Sequence, residues 1–431
     1  MKKKLLLMVA VLLTSIFLMS CEDRSDLTAP NPPTPNLGAV NFTNFVTIGN
    51  SLTAGYQSGS LYESAQMYAF GNLIAQQVGT QYEMPLITDP GLPSGRMEVK
   101  QLTSTGIVIQ YNSSSGSPKN SGYGSSYNNL GIPGAFLYDI LNATSGATCF
   151  QAINGGGPND LFNFILRGQG SQYKQAKSLT PTFVTVWIGN NDILGHATYG
   201  ATIPYTPTAT FNFLCSSLID SLAALGAKVV VANIPDVAVT PFFTTVGGQL
   251  RLSGISAIWG IAGTGDTIPM SPASNYLTLR ASELFLTGKG TSKSNPLPSN
   301  VILDAAEAAA VKDVITAYNT TIKTLAEAKG FGVVDINKIF TDIAKFGRTE
   351  NGIQFSVQYV TGGLFSLDGV HPTSRGQGII ANEFIKVINA KWGTSIPLVN
   401  VSLIPGSLIL AKMSNFGLPV FEKGTLDNLL F

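Results

Sequence analysis

Residues 182–188 read TFVTVWI, and Gly189-Asn190-Asn191-Asp192 follows at once. A continuous apolar run of β-branched and aromatic side chains, closed by turn residues, is the pattern of a strand buried on both faces. Three other runs repeat it: Phe45-Val46-Thr47-Ile48, stopped by Gly49; residues 228–234 (KVVVANI); and residues 331–336 (FGVVDI). Helical spacing fills the intervals. It predicts helices over residues 63–78, over 211–225 ending at Gly226, over an Ala-rich stretch 304–329 stopped by Gly330, and over 374–392 with Gly393 beyond. Buried strands alternating with helices predict an α/β fold, its sheet mostly parallel and covered by helices on both faces.

Two stretches break the rhythm. Residues 80–127 are rich in Gly, Ser, Asn and Tyr, with one alternating piece near residues 99–111, and residues 236–300 carry many Pro, Thr and Gly. Both are expected as insertions on the core. Apolar clusters in the second, at residues 239–243, 255–261 and 284–286, could cover an acyl pocket or form the insertion's own small core. Residues 394–431 are expected to pack back as a C-terminal extension.

The amino terminus reads as an address. Lys2, Lys3 and Lys4 precede a 15-residue apolar run at residues 5–19, too short for a spanning helix and typical of a secretory signal. Leu18-Met19-Ser20-Cys21 resembles a bacterial lipobox, in which cleavage before Cys21 exposes a thiol that receives a diacylglycerol. Losing residues 1–20 removes three lysines and no acid, leaving 23 basic against 25 acidic residues. Residues 21–40 hold Pro30, Pro32, Pro33 and Pro35 and few large apolar side chains, as expected of an extended tether. The expectation is an exported lipoprotein of the cell envelope, held to a membrane through Cys21.

Composition removes whole classes of function. Lys plus Arg number 26 against 25 Asp plus Glu, so the basic excess of a nucleic-acid binder is missing. At 44% apolar residues the 431-residue chain is no disordered acidic tail and has ample material for a core. Two His and three Cys leave little for a zinc site. Cys149 and Cys215 could pair if the fold brings them together.

Chemistry has few places to reside. His371 stands in Leu367-Asp368-Gly369-Val370-His371-Pro372. A turn at Gly369 can bring the Asp368 carboxylate to Nδ1 and leave Nε2 as a base. Pro372 keeps His371 extended before the last helix, for which Ser374 and Gln377 have capping-box spacing. Ser51, in Gly49-Asn50-Ser51-Leu52, sits at the carboxyl end of a strand, where parallel sheets bind ligands. It reads as a nucleophile presented on a turn or as a helix cap. Asn191 offers amide donors at another strand end, and Gly134, in Asn129-Leu130-Gly131-Ile132-Pro133-Gly134, can turn an unobstructed N–H into a site. Turn residues explain both segments equally well. His196 reads as a loop histidine or a substrate contact.

The order of these pieces resembles the SGNH (GDSL-type) hydrolase family. Ser51 matches the nucleophile block, with Asn50 where many members have Asp. Gly134 matches the glycine block, Gly189-Asn190-Asn191-Asp192 the Gly-x-Asn-Asp block, and Asp368 to His371 the last block. The resemblance implies a three-layer α/β/α fold on a mostly parallel, flavodoxin-like five-stranded sheet, spanning residues 41–393 with the two insertions. It implies a Ser51–His371–Asp368 triad, an oxyanion hole of the Ser51 and Gly134 N–H groups and the Asn191 amide, and no metal or cofactor. The implied activity is hydrolysis of carboxylic or lipid acyl esters through an acyl-enzyme. The alternatives are an acetylesterase acting on glycans and a surface lipoprotein that binds glycan or peptide without catalysis.

Overall fold

The computed structural model describes residues 34–93, 95–103, 106–406, 417–427 and 429. The expected signal sequence, Cys21 and most of the Pro-rich stretch lie outside the described residues. From Pro35 onward the described residues form one packed unit.

Five strands make the central sheet: β1 (Phe45–Gly49), β2 (Asn129–Gly131), β3 (Phe183–Trp187), β4 (Lys228–Ala232) and β5 (Gly332–Val334). Their spatial order is β5-β4-β3-β1-β2, with every neighbouring pair parallel. Phe45 stands beside Phe183 and Gly49 beside Trp187. Alternation along the strands sorts side chains to two faces. Val46, Ile48, Val184, Val186, Val229 and Val231 enter one apolar cluster; Phe45, Phe183, Trp187, Val230 and Ala232 enter the other. Both faces therefore need apolar residues, which is why the strands read as unbroken runs.

The helices that matter here are α1 (Ser51–Ala54), α2 (Phe70–Val78), α3 (Gln172–Ser178), α4 (Asn191–Thr198), α5 (Thr208–Ala223), α6 (Pro241–Leu252), α7 (Ala305–Ala328) and α8 (Ser374–Trp392). α2 and α8 cover one face, and α3, α5 and α7 the other. Successive connections leave β1 toward β2 and β3 toward β4 in opposite directions. The carboxyl ends of β1 and β3 thus flank the topological switch point, the crevice where such sheets bind ligands.

Several local expectations change. Strand β2 carries one large apolar residue, Leu130, so its three residues look like a turn. Asn129 belongs in the sheet because its amide is satisfied internally: Nδ2 donates to the Thr53 carbonyl and Oδ1 accepts the Gly131 N–H. The helix expected over residues 63–78 is two pieces, Glu63–Gln66 and α2, broken at the extended Ala69. The Phe70 N–H freed by the break donates to Gln377 Oε1 at 3.1 Å. That contact also corrects the cap of α8. Thr373, not Ser374, is the N-cap, its hydroxyl accepting from Gly376 N–H, while Gln377 reaches across to α2 and α1 rather than back to a cap.

The alternating piece in the first insertion is a hairpin, Met97–Leu102 against Ile107–Tyr111, with Val420–Phe421 added beside it in parallel. Asn36 pairs with Ser395. In the second insertion α6 is followed by a hairpin, Ile258–Ile261 against Thr267–Met270. Phe242, Phe243, Val246 and Leu250 are buried in the main apolar cluster, so this insertion is packed into the core. Cys149 and Cys215 are separate buried thiols. Cys149 Sγ donates to the Gly146 carbonyl, and Cys215 lies on α5 among core side chains.

Candidate active site

Strand β1 ends at Gly49, where nothing larger fits: a Cβ there would lie 2.2 Å from Thr53 Oγ1 and 2.3 Å from the Trp187 carbonyl oxygen. The glycine answers to space rather than to an unusual backbone angle. Asn50 is the N-cap of α1, its Oδ1 accepting the Leu52 N–H at 3.1 Å, and its Nδ2 donates to Asn190 Oδ1 at 3.1 Å. Ser51 is thereby relieved of capping. Its hydroxyl, almost fully buried, lies 2.9 Å from His371 Nε2.

The last block folds as its spacing requires. Gly369 takes the left-handed conformation (φ +74°), and a Cβ there would press on Phe242 and Leu279. Asp368 Oδ1 accepts the N–H groups of Val370 and His371 at 2.9 and 2.8 Å. Asp368 Oδ2 accepts the Gly59 N–H at 3.0 Å and faces His371 Nδ1 at 3.1 Å. Burial works to raise the Asp368 carboxyl. The imidazole and the backbone donors outweigh it and hold the group below its ordinary range. The Tyr56 ring stands edge-on to the imidazole, centroids 4.8 Å apart. The His371 carbonyl accepts from Ser366 N–H, and the Gly369 carbonyl from Phe242 N–H at the start of α6. The second insertion thus braces the histidine turn directly.

Gly134 is also left-handed (φ +81°), and a Cβ would come within 2.7 Å of Asn159 Nδ2. The turn it belongs to is tied down from three sides. Asn159 Nδ2 donates to the Pro133 carbonyl, Asn191 Nδ2 donates to the Ala135 carbonyl, and the Leu137 N–H donates to Asp192 Oδ2. Asp192 also accepts from the Thr206 hydroxyl at 2.8 Å. Burial pushes its carboxyl up to about 7 against those hydrogen bonds. Asp139, which accepts the Phe136 and Phe150 N–H groups, is raised to about 7 for the same reason.

The structure brings Ser51, Asp368 and His371 into one hydrogen-bonded line, and ties Asn191 to the turn that carries Gly134. His196 stands apart from them. It lies on α4 rather than in a loop, with Nδ1 2.5 Å from the Ile203 carbonyl and its ring edge-on to Tyr205. The spacing of the blocks did not reveal Gly59, Asn159 or Asp192 as supports. Gly59 and Asn159 act through contacts with distant residues that leave no local pattern. Asp192 could have been singled out as an acid at the end of a buried strand.

Residues 45–384 match the family model described as GDSL-like lipase/acylhydrolase. A search of curated proteins returned no significant match. Among solved structures, the chain is similar to LAE5, an alpha/beta hydrolase enzyme from the metagenome of Lake Arreo, Spain, at 12% identity and TM-score 0.38, over 82% of this chain and 98% of that one. It is also similar to Axe2, an acetylxylan esterase from Geobacillus stearothermophilus, at 13% identity and TM-score 0.35, over 81% and 94%. Likenesses this distant do not bear on substrate.

Proposed function

The chain belongs to the GDSL-like lipase/acylhydrolase family and is a carboxylic ester hydrolase, and we propose that it cleaves lipid acyl esters through a Ser51 acyl-enzyme, tethered in a bacterial envelope by a lipid on Cys21. The observation that carries the mechanism is the continuous line from Ser51 Oγ to His371 Nε2 at 2.9 Å and from Nδ1 to Asp368 at 3.1 Å.

In the first half-reaction Nε2 takes the Ser51 proton as Oγ bonds to the ester carbonyl carbon, and the carbonyl electron pair moves onto oxygen. The oxyanion accepts from the Ser51 and Gly134 N–H groups and the Asn191 amide. Asn191 Nδ2 carries two hydrogens; one holds the Ala135 carbonyl, and the other serves the oxyanion. Collapse expels the alcohol, which takes the proton from His371. Water then repeats the sequence on the acyl-enzyme, releasing the acid and restoring Ser51. Asp368 stays ionised throughout, orienting the ring and stabilising its cation.

Support for a lipid substrate comes from the tether. An enzyme held at a bilayer meets lipid esters at high effective concentration. The test is hydrolysis of p-nitrophenyl esters with acyl chains of two, four, eight and sixteen carbons, with Ser51→Ala as control. Ser51→Ala should lose on the order of 10⁴-fold or more in kcat. Rates that hold or rise toward the longer chains support the reading. A sharp optimum at acetate overturns it in favour of acetyl esters, such as those on glycans. Cys21→Ser should release the protein from the membrane fraction; retention there would refute the lipid anchor.

A further inference from the structure

A cavity of about 670 Å³ lies beside the acid end of the triad, within the size range of small-ligand sites. Among its described lining residues are Ser58, Ser366 and Leu367, but none of Ser51, Gly134, Asn191 or His371. The cavity is therefore not the oxyanion site. Ser58 and Leu367 immediately precede Gly59 and Asp368, whose contact anchors the catalytic acid.

The lining is mostly apolar. Val99, Leu102 and Ile107 come from the hairpin of the first insertion, Phe365 from the core, and the partly exposed Met67 from the turn before α2. The uncharged polar side chains among the described lining residues are Ser, Thr and Tyr hydroxyls, those of Ser58, Ser366 and Ser374 among them, and the Gln57 amide. Arg96 is the one charged side chain among the described lining residues. It is ion-paired with both Asp89 and Glu98, and its guanidinium lies over the Tyr62 ring at 4.6 Å. One cation matched by two carboxylates offers no net attraction to an anion.

An apolar chamber with uncharged hydrogen-bonding groups and a neutralised cation selects a ligand with a hydrocarbon chain and an uncharged polar head. We propose that this cavity is a second binding site, separate from the nucleophile, for a neutral single-chain amphiphile of the monoacylglycerol type. The chain packs against Val99, Leu102 and Ile107, and the hydroxyl head meets Ser58, Ser374 and the Gln57 amide, since Thr373 is committed to Gly363 and Gly376 and Ser64 to Asp89. A fatty acid is disfavoured because its carboxylate would face Asp89 and Glu98 around a cation they already satisfy.

The test uses full-length Ser51→Ala protein, so that no probe is hydrolysed. Calorimetric titration with 1-monolauroylglycerol, below its micelle concentration, should show saturable one-to-one binding. Laurate should bind about tenfold or more weakly. Val99→Trp and Leu102→Trp, made separately, fill the chamber and should each weaken monolauroylglycerol binding by about tenfold or more. The same substitutions on the Ser51 background should leave p-nitrophenyl acetate hydrolysis within about twofold, which also certifies folding. Absence of saturable binding, laurate binding as tight as the glyceride, or unchanged affinity in both folded Trp variants would each overturn the proposal. Binding that persists while the protein with Ser51 intact hydrolyses no ester would refute the hydrolytic mechanism and leave this site standing.

Discussion

Ser51 and His371 are separated by 320 positions in the chain and by 2.9 Å in space. What each polar atom of the site can do depends on how it is already committed. Asn191 spends one amide hydrogen on Ala135, so Asn191→Ala should loosen the Gly134 turn and, on the proposed mechanism, remove an oxyanion donor. The expected fall in kcat is about 10²–10³-fold, with an unchanged circular dichroism spectrum; a rise in KM with kcat unchanged would contradict that role. The two kinds of buried acid should act oppositely on stability. Asp368 is depressed, so its contribution is present above the ordinary carboxylate pKa and is lost as pH falls through its folded value. Asp192 is raised to about 7, so the folded state holds a proton that the unfolded chain releases near pH 4. Its effect is a loss of stability as pH rises from about 4 to about 7. Asp192→Asn keeps an acceptor for the Leu137 N–H and removes that loss. The Tm advantage of the variant over wild type should therefore grow from pH 4.5 to pH 7.5, and a constant difference would show that Asp192 does not titrate in this window.

At the scale of elements, the chain's local grammar was readable where one segment satisfies itself. The strand runs and the α8 boundaries are of that kind, and so is the α7 capping box, in which Asp304 accepts the Glu307 N–H and Glu307 accepts the Asp304 N–H. Reading failed where a distant residue answers a local need. Gln377 has capping-box spacing but serves Phe70 and Leu52 instead, and Asn129 hides a strand because its amide is satisfied across α1. The corrected cap is open to test. Thr373→Ala should lower stability by about 1 kcal/mol in urea unfolding, while Ser374→Ala should not cost a cap. Equal losses from the two would restore the earlier assignment.

For the whole molecule, the second insertion decides the character of the fold. α6 donates through Phe242 N–H to the Gly369 carbonyl, and its side chains join the main apolar cluster. Phe242→Ala should cost about 3–5 kcal/mol and move a single cooperative unfolding transition seen alike by Trp fluorescence and circular dichroism. A separate early transition would mean that the insertion melts alone. The α/β class, the strands β1, β3, β4 and β5, and the order of the blocks that hold Ser51, Gly134, Asn191, Asp368 and His371 are legible in the chain alone. Those follow from periodicity and from side-chain chemistry, which are local. Long-range packing settles that Asn50 rather than Ser51 caps α1, that Gly59 and Asn159 hold Asp368 and the Gly134 turn, that the two thiols stay apart, and that an apolar chamber stands beside Asp368. Each depends on which distant surfaces meet when the sheet is covered, and no local pattern encodes that meeting.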